Sequence, residues 1–339
     1  MSVVAARSVT VEARRGTWRR VVDTIDLELE PGTVVGLVGE SGAGKTLFTR
    51  ALVGLLPGGT RASGTIVLGG REYDARKGAR SALGRDAALV QQNPITALDP
   101  LARVRKQLVD GVLRLGLMKH EAADARAREL LGRLGFNDVE RVLRLYPHQL
   151  SGGMAQRVCV ALALMPSPEL LIVDEPTSAL DANVRVRVLE LIRELAIEQR
   201  AAVVFVSHDL SLVGRFCDRL VVLYAGRIVE QGDTTDVMGV PRHPYTQALL
   251  GCAVTTEAVP RQPLTSIAGA PPAPEEWPAG CVFAPRCPHA WERCVAERPQ
   301  PTVLSSSHQP RDAACHLVEE AGAAAPRPQL VTKEVERRA

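Results

Sequence analysis

The spacing of apolar and polar positions divides the chain into three kinds of segment. Val9 to Ala13, Ile25 to Leu29 and Thr65 to Leu68 alternate apolar with polar residues, which predicts an antiparallel layer with one wet face. The runs at Val34, Leu170 and Val203 are nearly continuous in apolar residues, as expected of a parallel sheet covered on both faces. From Leu98 to Leu145 the period lengthens. Val104, Leu108, Val112 and Leu115 recur at helical spacing, as do Ala127, Leu130, Leu131 and Leu134, and together they predict a helical insertion. Leu47 to Leu55 and Met154 to Leu164 are also compatible with helix.

Composition narrows the class. The 339 residues are enough for about two domains, and 46% hydrophobic with 23% charged residues is ordinary for a globular protein. A net charge of +3 on this length does not argue for nucleic acid or an anionic membrane surface. No apolar run approaches the roughly 18 residues of a spanning helix. The opening MSVVAARSVTVEARRGTWRR lacks the apolar segment of a secretory signal, so a cytoplasmic chain with reduced cysteines is expected, unless metal holds them.

Candidate chemistry sits at the ends of the predicted parallel strands. Gly39 to Thr46, GESGAGKT, fits G-x-x-x-x-G-K-[ST] between an apolar strand, Val34 to Val38, and a helix. Glycines let the chain wrap an anion, so that backbone N–H groups and the positive end of the helix face phosphate oxygens. Lys45 would add a point charge and Thr46 a hydroxyl ligand for Mg²⁺. The alternative is a Gly-rich turn that only caps a helix. A second apolar strand ends in Asp174 and Glu175, within ELLIVDEPTSALD. Delivered at a strand's C-terminal end, Asp174 would hold Mg²⁺ and Glu175 would polarise an attacking water. Leu150 to Arg157, LSGGMAQR, is a second Gly-rich helix start and a second anion site. One nucleotide rarely needs two such sites from one chain, so the second is expected to serve a nucleotide bound to a partner subunit.

With these motifs in place the chain resembles the ATP-binding cassette family over residues 1 to about 250. The motifs run in the family's order: the phosphate loop, a glutamine loop at Gln92, the signature LSGGM at Leu150 to Met154, Asp174 with Glu175, SALD at Ser178 to Asp181, and a switch histidine at His208. The resemblance implies an α/β phosphate-loop NTPase fold, a parallel core sheet with an antiparallel β layer and a helical subdomain at about 96–150. It implies ATP contacts at Gly39, Glu40, Ser41, Gly42, Ala43, Gly44, Lys45, Thr46, Gln92 and Asp174, and Mg²⁺ contacts at Thr46, Gln92 and Asp174. It assigns catalysis to Glu175 and His208, and contacts to the partner's ATP to Ser151, Gly152, Gly153 and Asp181. Trp18, the only aromatic residue before the phosphate loop, is the candidate to stack on adenine, with a half-exposed strand tryptophan as the alternative. Ala155 stands where relatives often carry arginine or serine, beyond the Ser-Gly-Gly anion site. In this family the helical insertion touches membrane subunits, although a charged helix such as Glu121 to Arg133 could equally be a solvated face.

Beyond residue 250 the chain exceeds a minimal cassette. HPYTQALL at His243 to Leu250 precedes a Pro-rich stretch, Pro260 to Pro278, and then four of the seven cysteines: Cys281, Cys287, Cys294 and Cys315, spaced C-x5-C-x6-C-x20-C. HPYTQALL followed by GCVFAPRCPHAWERC resembles the C-terminal region of the ATPases of bacterial dipeptide, oligopeptide and nickel importers, some of which carry a [4Fe-4S] cluster. Four thiolates in a reducing compartment suit that cluster or Zn²⁺ rather than disulfides. Four plain thiols in a small domain are the remaining alternative. His289, His308 and His316 lie nearby and are expected to be surface residues. Residues 251–320 are expected to form this extension, and 321–339 a disordered tail.

The combined expectation is an ATP-hydrolysing subunit of a membrane importer, for di- or oligopeptides, at the cytoplasmic face of the inner membrane. Its implied partners are a second, different ATPase subunit, two integral membrane permeases and an external substrate-binding protein, with no nucleic acid. Nickel or another small solute is the alternative cargo. A non-transport cassette acting on DNA or ribosomes, and a module that binds ATP without hydrolysing it, are the alternatives from other classes.

Overall fold

The computed structural model describes residues 4–91, 94–174, 182–252, 267–306 and 310–321. The strands are β1 (Val4–Arg15), β2 (Thr17–Leu29), β3 (Val34–Val38), β4 (Thr60–Leu68), β5 (Arg71–Asp74), β6 (Ala87–Val90), β7 (Leu170–Asp174), β8 (Ala202–Val206), β9 (Arg219–Tyr224), β10 (Arg227–Asp233), β11 (Thr302–Leu304) and β12 (Arg311–Ala313). They form two sheets. One is antiparallel, in the order β2-β1-β4-β5, and the other runs β11-β12-β10-β9-β3-β8-β7-β6.

The expected antiparallel layer is present, and its strands are longer than the alternating segments alone suggested. β1 and β2 form a long hairpin that turns at Gly16, where φ is 75°. The expected parallel core is also present: β3 pairs in parallel with both β8 and β9, and β7 with both β8 and β6. Apolar runs are needed here because both faces are covered. In β7, Leu170 and Ile172 join a core shared with the antiparallel sheet and the helix Lys45–Leu52. Leu171 and Val173 join a second core, shared with the helical insertion and the helix Gly152–Leu164.

The insertion folds as the helices Val104–Arg114, His120–Arg133 and Val139–Arg144. Its charged helix is amphipathic. Ala123, Ala127, Leu130 and Leu131 are buried, while Arg128 pairs with Glu140 and Arg133 with Glu198 across the outer face. Leu115 follows the first of these helices as its C-cap and is 37% exposed.

The C-terminal residues continue the main sheet. β12 pairs antiparallel with β10, matching Glu230 to Ala313, and β11 pairs with β12 at the sheet edge. Glu230 is wholly buried there and takes a 2.7 Å ion pair from Arg311. The tail, 322–339, lies outside the described residues. Among the described residues no helix is long and apolar enough to cross a membrane.

Candidate functional site

β9, β3, β8 and β7 are consecutive in the sheet and parallel, so the chain segments leaving their C-terminal ends emerge side by side. Leu37 of β3 and Asp174 of β7 both register with Val206 of β8. The loop at Gly39, the Ser207-His208 step and Asp174 therefore share one edge, where open α/β sheets hold ligands.

The loop after β3 depends on glycine at defined points. Gly39 (φ 148°), Gly42 (φ 81°) and Gly44 (φ 100°) all take left-handed backbone, and Gly44 is the N-cap of the helix Lys45–Leu52. A Cβ on Gly39 would lie 2.1 Å from the Leu223 carbonyl oxygen of β9. The loop is pinned from the opposite side too. The Gly226 N–H donates to the Ala43 carbonyl at 2.9 Å, and the Asp23 N–H donates to Gly226 at 2.8 Å. Lys45 is buried, and its Nζ donates to the carbonyls of Gly39 (2.7 Å) and Glu40 (3.0 Å). This holds the cation at the mouth of a turn of backbone donors, a geometry that suits a polyphosphate. Glu40 is half-buried, Ser41 is exposed and Thr46 is half-buried on the first helical turn.

Asp174 is buried at the end of β7. His208 is exposed, directly before Asp209, whose carboxylate caps the helix Leu210–Phe216 by accepting from the Ser211 and Leu212 N–H groups. Gln92, Glu175 and Asp181 lie outside the described residues.

The signature stands at a different helix start. Ser151 caps Gly152–Leu164, its Oγ accepting from the Met154 N–H at 3.3 Å, and Ser151 and Gly152 are exposed while Gly153 is half-buried. Ala155 points into the core, 1% exposed, where a longer polar side chain would need a partner. Trp18 lies near the tip of the β1–β2 hairpin, 38% exposed, with the Arg61 guanidinium 4.3 Å above its ring.

The four C-terminal cysteines come together. Cys281, Cys287, Cys294 and Cys315 line one small pocket, joined by Phe283, His289 and His316. All are free thiols. Burial pushes the Cys281 thiol up, partly offset by the nearby backbone amides of Phe283 and Ala284. Burial likewise raises Cys287 to about 11 and Cys315 to about 12, partly offset by the nearby backbone amides of His289 and of Leu317 and Val318. As they stand, the described residues contain no group of three or more ligating side chains arranged to hold an ion. His316, expected at the surface, is instead buried. Its ring nitrogens meet Glu319 (2.9 Å) and the Glu297 carbonyl (3.0 Å), so it is already engaged as a structural residue. His308 lies outside the described residues.

Two contacts were not visible in the motifs. Tyr245, inside HPYTQALL, is wholly buried, and its hydroxyl accepts the Glu40 N–H at 2.8 Å. Arg286, between two of the cysteines, grips the Glu40 carboxylate with both terminal nitrogens, at 2.6 and 3.0 Å. The HPY spelling marked the segment, but nothing in it indicated a target more than 200 positions away.

Comparison with known proteins agrees with this layout. The family profile described as "ABC transporter" matches residues 22–178, and that of the "Oligopeptide/dipeptide transporter, C-terminal region" matches 229–294. The chain is 39% identical over 301 residues to the dipeptide transport ATP-binding protein DppD of Escherichia coli, covering 88% of this chain and 90% of that protein. It is 37% identical over 306 residues to the oligopeptide transport ATP-binding protein AppD of Bacillus subtilis, covering 89% and 92%. A solved ATP-binding cassette in a dimeric post-hydrolysis state, bound to ADP and Pi, superposes with a TM-score of 0.60 at 26% identity, covering 68% of this chain and 98% of that one.

Proposed function

Because this chain belongs to the ABC transporter family of ATPases and carries the C-terminal region of its oligopeptide and dipeptide branch, we propose that it is the ATP-hydrolysing subunit of a peptide importer. The observation that carries the reading is the shared strand edge, where the phosphate loop, Asp174 and His208 leave adjacent parallel strands. ATP and Mg²⁺ are the family's cofactors. In this reading the loop from Gly39 to Thr46 cradles the phosphates, and Thr46, Gln92 and Asp174 hold Mg²⁺ directly or through water. Glu175 directs water at the γ-phosphate and His208 contacts that phosphate. Ser151, Gly152, Gly153 and Asp181 serve the nucleotide of a second subunit. Support for that division of labour comes from the exposure of Ser151 and Gly152 on a separate helix start. The Trp18 ring is the adenine platform.

The partners are a second, different ATPase, two permeases and an external binding protein, which places the chain at the cytoplasmic membrane face. Dipeptides and oligopeptides are the proposed cargo, and nickel is the alternative within the same branch. Glu175→Gln should trap ATP and nearly stop turnover, and undiminished hydrolysis would refute its role. Uptake of labelled peptides and nickel by cells carrying Lys45→Ala tests the transport reading. Loss of peptide uptake alone supports it, whereas unchanged uptake with ATPase activity abolished removes it.

Support for a thiolate-bound group in the cysteine pocket comes from the four cysteines that line it together. Cys281, Cys287, Cys294 and Cys315 would hold a [4Fe-4S] cluster, or Zn²⁺ as the alternative, as a structural clamp. Anaerobically purified protein should contain iron and sulfide; colourless protein with stoichiometric zinc would replace the cluster by zinc.

A further inference from the structure

The phosphate loop and the cysteine pocket share a wall. Arg286 is peptide-bonded to Cys287, and its side chain is only 4% exposed. Besides the two-pronged grip on Glu40, the guanidinium donates to the Tyr224 hydroxyl (3.2 Å) and to the carbonyls of Ile267, Ala268 and Gly269. Every donor nitrogen of the fork is engaged, so its position is fixed by both the extension and the cassette. A second link runs through aromatic rings. Phe283 lines the cysteine pocket and packs against Tyr224 (5.2 Å between centroids) and Tyr245 (5.4 Å). Tyr245 in turn receives the Glu40 N–H. Glu40 is thus held twice, its carboxylate by Arg286 and its backbone N–H by Tyr245.

We propose that Arg286 is a positioning residue of the ATPase reaction, tying the phosphate loop to the cysteine pocket so that what the four thiols carry sets nucleotide affinity. A group held by the four thiols would bear on the short segment Cys281–Cys287, and through Arg286 on Glu40. The coupling to pocket occupancy rests on the thiolate reading above; the grip of Arg286 on Glu40 does not.

Equilibrium binding of a fluorescent ATP analogue to the full chain tests it. Arg286→Met should weaken binding about tenfold or more, as expected for losing a charge-assisted pair, with KM for ATP raised and kcat little changed. Glu40→Gln should do the same, and the double variant should be no worse than either single one. Arg286→Lys, which keeps one charged contact, should fall between parent and Arg286→Met, and it serves as the probe if the methionine variant folds poorly. Strictly additive losses, or parental affinity in the folded single variants, would overturn the positioning role. Cys287→Ser with Cys315→Ser should alter affinity in the parent and leave it unchanged in the Arg286→Met background. An equal change in both backgrounds would overturn the coupling. Iron and zinc are assayed in the same preparations: a metal-free parent that still shows the Arg286 effect discards the metal and leaves the positioning role standing.

Discussion

Arg311→Leu removes one half of the buried ion pair that fastens the C-terminal strands to the sheet. Glu230 is 0% exposed and Arg311 5% by side chain, and their 2.7 Å contact is supplemented by N–H groups of Arg242 (2.9 Å) and His243 (2.9 Å) on the same carboxylate. The Arg311 stem also lies against Gly232, where any Cβ would come within 2.7 Å of it. Orphaning a buried charge costs about 3–5 kcal/mol. The two remaining N–H donors still serve the carboxylate, so we place this variant at the lower end, about 3 kcal/mol. Adding Glu230→Gln removes the stranded charge and should recover about 1–2 kcal/mol. Urea denaturation followed by far-UV circular dichroism, read as midpoint shifts at constant slope, measures both. A loss under about 1 kcal/mol, or a double variant that loses the sum of two independent penalties, would refute the claim that the pair acts as a unit.

Three further outcomes follow from single sites. His243 is buried and held neutral, its pKa lowered to about 3 by burial, so the unfolded chain binds an extra proton below pH 6.5; stability is complete above that pH and falls by up to about 1.4 kcal/mol per unit as pH drops toward 3. His243→Asn, which can still cap the Tyr245 N–H, should flatten that part of the stability curve, and an unchanged slope between pH 6 and 5 would reject the assignment. Gly39→Ala should abolish ATP-analogue binding, because its Cβ would sit 2.1 Å from the Leu223 carbonyl; near-parental affinity would show that the loop can yield. Cys159, raised by burial to about 12, should resist an aromatic disulfide reagent at pH 8 in the native protein and react only on unfolding, as followed by peptide mapping.

What the sequence made legible were features with local cause. Continuous apolar runs fixed β3, β7 and β8 because both faces of those strands are covered, and helical spacing revealed the insertion because its leucines and valines face one core. β11 and β12 span three residues each, too short to display a period, and their place is set by pairing to β10 rather than by their own pattern. The β9–β10 hairpin turns at Ala225 and Gly226, with φ of 44° and 73°, without the Asn-Gly spelling that advertises such turns. His316 looked like a surface residue because, although Glu319 lies on its own helical turn, the Glu297 carbonyl that meets its other ring nitrogen comes from a separate short element.

The motif residues of the phosphate loop are local in sequence, but their conformation is not locally determined. Gly39 is constrained by Leu223, Ala43 by Gly226, and Glu40 by Tyr245 and Arg286, across separations of up to 246 positions. Gly226 is itself crowded by Trp277, whose ring would lie 2.7 Å from an added Cβ, so the extension touches the hairpin that holds Ala43 as well as Glu40. Further contacts come from Tyr245 and Arg286, which hold Glu40 by directional hydrogen bonds, while Val282 and Phe283 join the apolar core. Directional contacts transmit displacement more faithfully than apolar area, since they weaken steeply once bent or stretched. The C-terminal region therefore acts on the nucleotide loop by geometry, and losing it should cost affinity for ATP before it costs the fold of the parallel sheet.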